Sequence, residues 1–155
     1  VTTDIIVGFP GETDADFEQT AELMHEVRYA GAFIFKYSPR PHTEAQAWED
    51  DIPDAVKTER LMILQQRQQQ IQTEDNQPWV GREIEVMVEA FHPKLGQWAG
   101  RASTNRVVNF TALPAAPAAL PIVGQTQEAR LKPGDYTRVR ITKAGANSFV
   151  GTETV

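Results

Sequence analysis

The chain is 155 residues long, 41% hydrophobic and 23% charged, with a formal net charge of −6 and no cysteine. That length suits one ordinary domain or two small ones, and the missing thiols exclude a disulfide framework, a thiolate nucleophile and a Cys-ligated metal within these residues. His25, His42 and His92 lie far apart in sequence, so a zinc site is not expected.

The charge is unevenly spread. Residues 1–75 carry six Lys/Arg against fifteen Asp/Glu, a balance of −9, whereas residues 76–155 carry nine against six, a balance of +3. Two modules are implied, only the second leaning toward a polyanion. No apolar run approaches the roughly 20 residues of a membrane span and no signal peptide opens the chain, so a soluble, cytoplasmic protein with no membrane partner is expected.

In chain order, Ile5-Ile6-Val7 is a short run apolar on both faces, as in a strand of a parallel sheet covered on both sides. Pro10-Gly11 predicts a type II turn, because proline presets φ at its second position and glycine accepts the positive φ of its third. Thr13 is placed to cap a helix from about Asp14 to Tyr29, with Asp14 and Asp16 near its positive end. Phe17, Ala21, Met24 and Val27 or Arg28 give its buried stripe, Glu18, Glu22 and Glu26 its solvated face, and Gly31 its end. Residues 32–38 read as a second buried strand, so strand, helix and strand form a βαβ unit with parallel strands and a right-handed crossover.

Ser38-Pro39-Arg40-Pro41-His42-Thr43 then predicts an extended loop at the carboxyl end of that strand. Ligands bind at that end in α/β architectures, which makes Lys36, Arg40 and His42 candidate contacts; the alternative is an ordinary exposed loop. Residues 48–53 read as acidic and irregular, and Pro53 opens a long helix to about Thr73 whose apolar stripe is Val56, Leu61, Leu64 and Ile71, broadened by Met62 and Ile63. A domain boundary is expected at residues 74–78, giving domains 1–75 and 76–155.

After Pro78 the period changes from 3.6 to 2. Ile84, Val86 and Val88 alternate with Glu83, Glu85, Met87 and Glu89, as in a strand with one face in a core. Residues 92–96 read as a hairpin loop, and residues 97–102, 106–111, 136–142 and 148–154 as four further strands. Five short strands predict a small antiparallel barrel, OB-like, whose closure removes exposed sheet edges. Residues 113–121, rich in proline and alanine, read as an inserted flexible loop without a site.

Taken together, Thr2 to Thr13, Asp16-Phe17 and Phe35 to Pro41 resemble the late part of the radical S-adenosylmethionine barrel of methylthiotransferases. Gly81-Arg82, Gly100-Arg101, residues 105–110 (NRVVNF), Gly134-Asp135 and residues 139–142 (VRIT) resemble the TRAM domain that closes those enzymes. The NRVVNF run and the Ser-Pro-Arg-Pro loop are most similar to the branch that 2-methylthiolates isopentenyl-adenosine 37 of tRNA. They are less similar to the branches acting on threonylcarbamoyl-adenosine tRNA or on a ribosomal protein. The resemblance implies an α/β fragment, a βαβ unit and long helix from a partial barrel, followed by an all-β five-stranded TRAM barrel. His42 stands where the family usually has glycine, and the proline-alanine insertion is a second departure.

The resemblance further implies two 4Fe-4S clusters and S-adenosylmethionine in the parent, with none of these bound by the cysteine-free chain alone, which is expected to be inactive as a C-terminal fragment. Asp4, Gly8, Pro10 and Gly11 would border the S-adenosylmethionine pocket; a structural turn or cap is the competing role for Asp4. A phosphate loop does not fit, since Gly8-Phe9-Pro10-Gly11 lacks the GK[ST] ending. Expected partners are tRNA through its anticodon stem-loop and the N-terminal domains of the same enzyme, not DNA. Candidate RNA contacts are Lys36, Arg40, Trp98, Arg101, Asn105, Arg106, Arg138, Arg140 and Lys143, with Phe110 more a core residue than a stacking platform. Residues 1–75 are not expected to close a core alone, and exchange of the first strand between chains would protect it in an oligomer. A stand-alone RNA-binding adaptor is the competing functional reading; a CxxxCxxC motif a little over a hundred residues upstream would separate the two.

Overall fold

The computed structural model describes residues 1–113 and 131–154. The chain divides into two compact units, Val1–Asp75 and Asn76–Val155.

In the first unit, β1 (Thr2–Val7) and β2 (Gly31–Lys36) pair in parallel, in register from Thr2 opposite Gly31 to Val7 opposite Lys36. Between them runs α1 (Asp14–Val27), opened by a reciprocal capping box. The Thr13 hydroxyl accepts from Asp16 N at 3.2 Å, and Thr13 N donates to the Asp16 carboxylate at 2.9 Å. The Phe9–Glu12 turn has the expected form, with Gly11 at φ 81° and Glu12 N donating to Phe9 O at 2.9 Å. The helix stops two residues before the expected Tyr29: Arg28 takes the left-handed φ of 50° and caps the helix by donating to Met24 O, so Gly31 begins β2 instead of ending α1.

The core of this unit is one-sided. Val7, Ala21, Met24 and Leu64 are buried, with Ile5, Phe17, Ala32, Ile34 and Leu61 packed around them. The opposite face of the two strands, read from sequence as covered, is bare: Ile6 is 53%, Phe33 64% and Phe35 51% exposed. Period-2 geometry puts these residues and Asp4 together, since Asp4 opposes Phe33 and Ile6 opposes Phe35.

A short 3₁₀ turn at Glu44–Ala47 lies just before residues 48–53, the stretch expected to be irregular. The second helix, α2 (Asp54–Asn76), runs three residues past the expected Thr73, and Pro53 lies just outside its start with its carbonyl accepting from Lys57 N. Its inward stripe also differs from expectation. Lys57, Arg60, Leu64, Gln68 and Ile71 are buried, whereas Met62 and Ile63 are exposed. Gln68 Nε2 donates to Tyr29 O at 2.7 Å while its Oε1 is buried without a hydrogen-bond partner among the described residues, and the two cations meet carboxylates described below.

The second unit is a closed barrel of β3 (Glu83–His92), β4 (Gln97–Ala102), β5 (Val107–Thr111), β6 (Tyr136–Ala144) and β7 (Ser148–Thr154), in the order β3-β4-β5-β7-β6. The expected all-antiparallel pairing is corrected at one seam, because β5 and β7 run parallel from Val107 opposite Ser148 to Thr111 opposite Thr152. An odd number of strands cannot alternate in direction around a closed ring, so one neighbouring pair must be parallel. Inside sit Val86, Val88, Val108, Phe110, Val139, Ile141 and Phe149, all at most 1% exposed. Gly100 and Gly151 mark close approaches between strands: a Cβ would lie 2.2 Å from Met87 O at the first and 2.5 Å from Arg140 O at the second. The proline-alanine loop expected at residues 113–121 lies outside the described residues from 114 onward.

Candidate nucleic-acid interface

Each unit offers its own candidate surface. In the first, the carboxyl ends of β1 and β2 carry the Gly8–Gly11 turn and the Ser38–Thr43 loop. A cavity of about 560 Å³ there is lined by Ile6, Phe9, Phe35, Lys36, Tyr37 and Arg40, among others. Phe9 packs edge-on to Tyr37 at 5.0 Å and to Trp48 at 5.6 Å, which ties the turn to the loop. His42 has φ 67°, so the chain keeps at this position the backbone a glycine would adopt, and holds it by donating His42 N to Gln46 Oε1 at 3.1 Å.

The turn itself is braced by charge. Gly8 is buried against Lys57, whose Cγ would lie 2.3 Å from an added Cβ, and Gly8 N donates to Glu12 Oε2 at 2.6 Å. Gly11 N donates to Asp51 at 3.0 Å. Both turn amides are thus taken by carboxylates of the chain, which leaves no amide cradle for a phosphate. Buried Arg60 forks to Glu12 and Asp14, each at 2.6 Å, and Lys57 pairs with Asp50 beneath the Tyr37 ring. Burial pushes the Arg60 pKa down, but the hydrogen bonds to Asp14 and Glu12 outweigh it and the net direction is up.

The sequence-derived contacts in this unit separate into three environments. Asp4 lies exposed on the bare sheet face. Lys36 faces the helix side, pairing with Asp54 at 2.7 Å and holding that carboxyl below its ordinary range, chiefly through the hydrogen bond. Arg40 is exposed on the cavity rim, where its carbonyl accepts from the Thr43 hydroxyl at 2.8 Å.

On the barrel, Arg138 and Arg140 stand two apart on the outer face of β6, opposite Glu85 and Glu83 of β3. Arg140 pairs with Glu83 at 2.6 Å; Arg138 and Lys143, both exposed, make no ion pair among the described residues. Arg101 reaches the same outer surface through Met87, which β3 sets beside both Arg101 and Tyr136. It is held by Glu89 at 3.0 Å and by the carbonyl and side chain of Asn105 at 3.2 Å, and Asn105 itself sits in the left-handed region at φ 61°. Arg106 is built into the frame instead: its Nε donates to Asn76 Oδ1 at 2.8 Å, and its guanidinium lies 5.5 Å from the Trp79 ring centroid. Trp98 packs on the core and against Phe91, while Phe110 is fully buried and is core.

Trp79, flanked by Arg82 and Arg106 and packed on Phe149, and the buried amide of Asn76, which donates to Gly145 O and Ala146 O, were not legible as a unit from sequence. Only the Trp-x-x-Arg spacing of residues 79–82 hinted at the stack. Among the described residues, no group of three or more His, Cys, Asp or Glu is arranged to hold a metal ion, and no helix is long and apolar enough to cross a membrane.

A barrel of this topology with cations on its outer strands defines a small all-β module, and a sequence model of the TRAM domain matches residues 79–152. Over nearly its whole length the chain is also similar to proteins named tRNA-2-methylthio-N(6)-dimethylallyladenosine synthase. It is 48% identical over 151 residues to that of Solibacter usitatus, covering 97% of this chain and 31% of the relative. It is 44% identical over 151 residues to that of Koribacter versatilis, again covering 97% and 31%, and 40% identical over 152 residues to that of Desulfotalea psychrophila, covering 98% and 30%. The chain is therefore similar over nearly its whole length to part of these synthases, and spans about a third of the length of these relatives.

Proposed function

We propose that the chain is the carboxyl-terminal part of a cytoplasmic radical S-adenosylmethionine enzyme that 2-methylthiolates isopentenyl-adenosine 37 of tRNA, its barrel gripping the anticodon arm. The observation that carries this reading is likeness along 97% of the chain to synthases named for that product, at 48% identity in one case. In the parent, S-adenosylmethionine and iron–sulfur clusters would supply the radical and sulfur chemistry. Cluster ligation needs thiolates, and this chain has no cysteine, so its own contribution is binding and positioning and it is expected to catalyse nothing alone.

For the cofactor edge, the exposed Asp4 carboxylate beside Ile6 and Phe33 is chemically suited: it can accept hydrogen bonds from an ammonium or from hydroxyls next to an apolar wall. Gly8, Pro10 and Gly11 would shape that edge by turn geometry and not by amide donation, since their available N–H groups are already engaged.

For RNA, Arg138 and Lys143 offer cations that make no ion pair among the described residues. Arg101 and Arg140 can exchange their exposed ion pairs, each worth only about 0–1 kcal/mol, for phosphate contacts. Lys36 and Arg40 would act likewise at the strand-end cavity. The test is binding of the chain to an anticodon stem-loop across a salt series. Affinity should fall steeply with salt, and Arg138→Ala and Lys143→Ala should each flatten the log–log slope by about one. Absent or salt-independent binding would refute the grip.

A further inference from the structure

We propose that the hairpin joining β3 to β4 is a base-stacking arm, in which Phe91 and Trp98 receive an unpaired base of an RNA loop while Lys94 meets the adjoining phosphate. It rests on the RNA-binding reading above and assigns to this ribbon a task distinct from the outer face of β6.

The ribbon extends past the barrel wall. Among the described residues, β3 pairs with β6 only from Glu83 to Met87, and beyond the irregularity at Val88–Ala90 it pairs with β4 alone, through Ala90, Phe91 and His92. At its end Phe91 lies directly opposite Trp98, with ring centroids 5.1 Å apart at 51°. Trp98 is anchored because its other side packs on the barrel core; Phe91 remains 46% and Leu95 70% exposed. An aromatic pair with one ring fixed and the other open is a ready surface for a nucleobase, since every base has a π-face.

The charges favour RNA over a protein partner as the occupant. Residues 90–100 contain no Asp or Glu, while Lys94 lies in the turn between the two aromatic residues, and the nearest carboxylate in sequence, Glu89, is already paired with Arg101 at 3.0 Å. A phosphate backbone satisfies the Lys94 cation at the same time as its base covers the rings, whereas an apolar protein surface would have to bury it. Single-stranded character is specified too, because a paired base has no free face to present.

The experiment compares the full chain with Phe91→Leu, Phe91→Trp and Lys94→Ala for binding to an anticodon stem-loop RNA and to a fully paired RNA duplex, each across a salt series. Thermal unfolding verifies that the variants fold. Phe91→Leu should weaken stem-loop binding about tenfold, in the range of one lost stacked base, and leave duplex binding and the salt slope unchanged. Phe91→Trp should retain stem-loop affinity, and Lys94→Ala should reduce the slope by about one for the stem-loop. Wild-type stem-loop affinity in Phe91→Leu, or equal weakening toward both RNAs, would overturn the stacking arm while leaving the grip of the barrel intact. Loss of self-association in that variant without loss of RNA affinity would overturn it in favour of a protein contact. If the unsubstituted chain binds neither RNA, the grip and the arm fall together.

Discussion

Gly100→Ala is a direct test of how the barrel closes. The added Cβ would lie 2.2 Å from Met87 O and 2.6 Å from Val86 Cγ1. The valine can rotate only within a packed core, and the carbonyl belongs to the neighbouring strand, so relief requires β3 and β4 to part by about an ångström where Gly100 opposes Val88. Overpacking of this kind costs about 1–3 kcal/mol, and a lost ladder hydrogen bond adds about 1 kcal/mol, so the expected destabilisation is about 3 kcal/mol. Gly145→Ala is the control, because its nearest neighbour, Ser148 O, is at 3.4 Å and its φ is not left-handed; a change within about 0.5 kcal/mol is expected. Urea unfolding followed by hydrogen exchange at Val86, Val88 and Val108 reads the barrel separately from the first unit. Equal stability of Gly100→Ala and the unsubstituted chain would refute the close-approach account.

Arg60→Met should destabilise the first unit by about 3 kcal/mol in thermal unfolding, because it strands the mostly buried Glu12 carboxylate, which then keeps only the Gly8 amide. The carboxyls of Asp16, Asp54 and Glu74 are held low, chiefly by hydrogen bonds from Thr13, Lys36 and Gln70 respectively. Their folded values lie below the unfolded ones, so the stabilisation is fully present above pH about 5 and is lost as pH falls through the folded values. Hydrogen exchange in α1 and α2 should accelerate over that interval. Leu64→Ala, at a fully buried position of α2, should cost about 3 kcal/mol by denaturant unfolding, whereas Met62→Ala on the exposed side should cost less than about 0.5 kcal/mol.

What sequence made legible follows from where the information is local. The Pro10-Gly11 turn, the Thr13 cap and the bounds of β4 and β7 depend on residues within a few positions of one another, and they appear in the structure as expected. The misreadings involve partners distant in sequence. Ile6, Phe33 and Phe35 form an apolar run whichever face is covered, so hydropathy could not say that one face is bare among these residues. Lys57 and Arg60 look like surface residues of a helix, yet they are buried because Asp50, Glu12 and Asp14 arrive from elsewhere to meet them. Of the candidate RNA contacts, composition marked the cations, but only the strand register separates Arg138 and Lys143 from Arg106, which is part of the frame. The parallel seam was hidden because strand patterns carry no direction.

That seam has a consequence for how the barrel tolerates change. The hairpins β3–β4 and β6–β7 close over short local turns, whereas joining β5 to β7 encloses the whole span from Thr111 to Ser148. Closure entropy grows only logarithmically with such a span, so doubling it costs about 0.6 kcal/mol. The connection between Thr111 and Tyr136 is therefore the place where this domain can accept added sequence most cheaply. A reporter peptide inserted there should leave the barrel's unfolding midpoint nearly unmoved, while the same insertion between β6 and β7 should not.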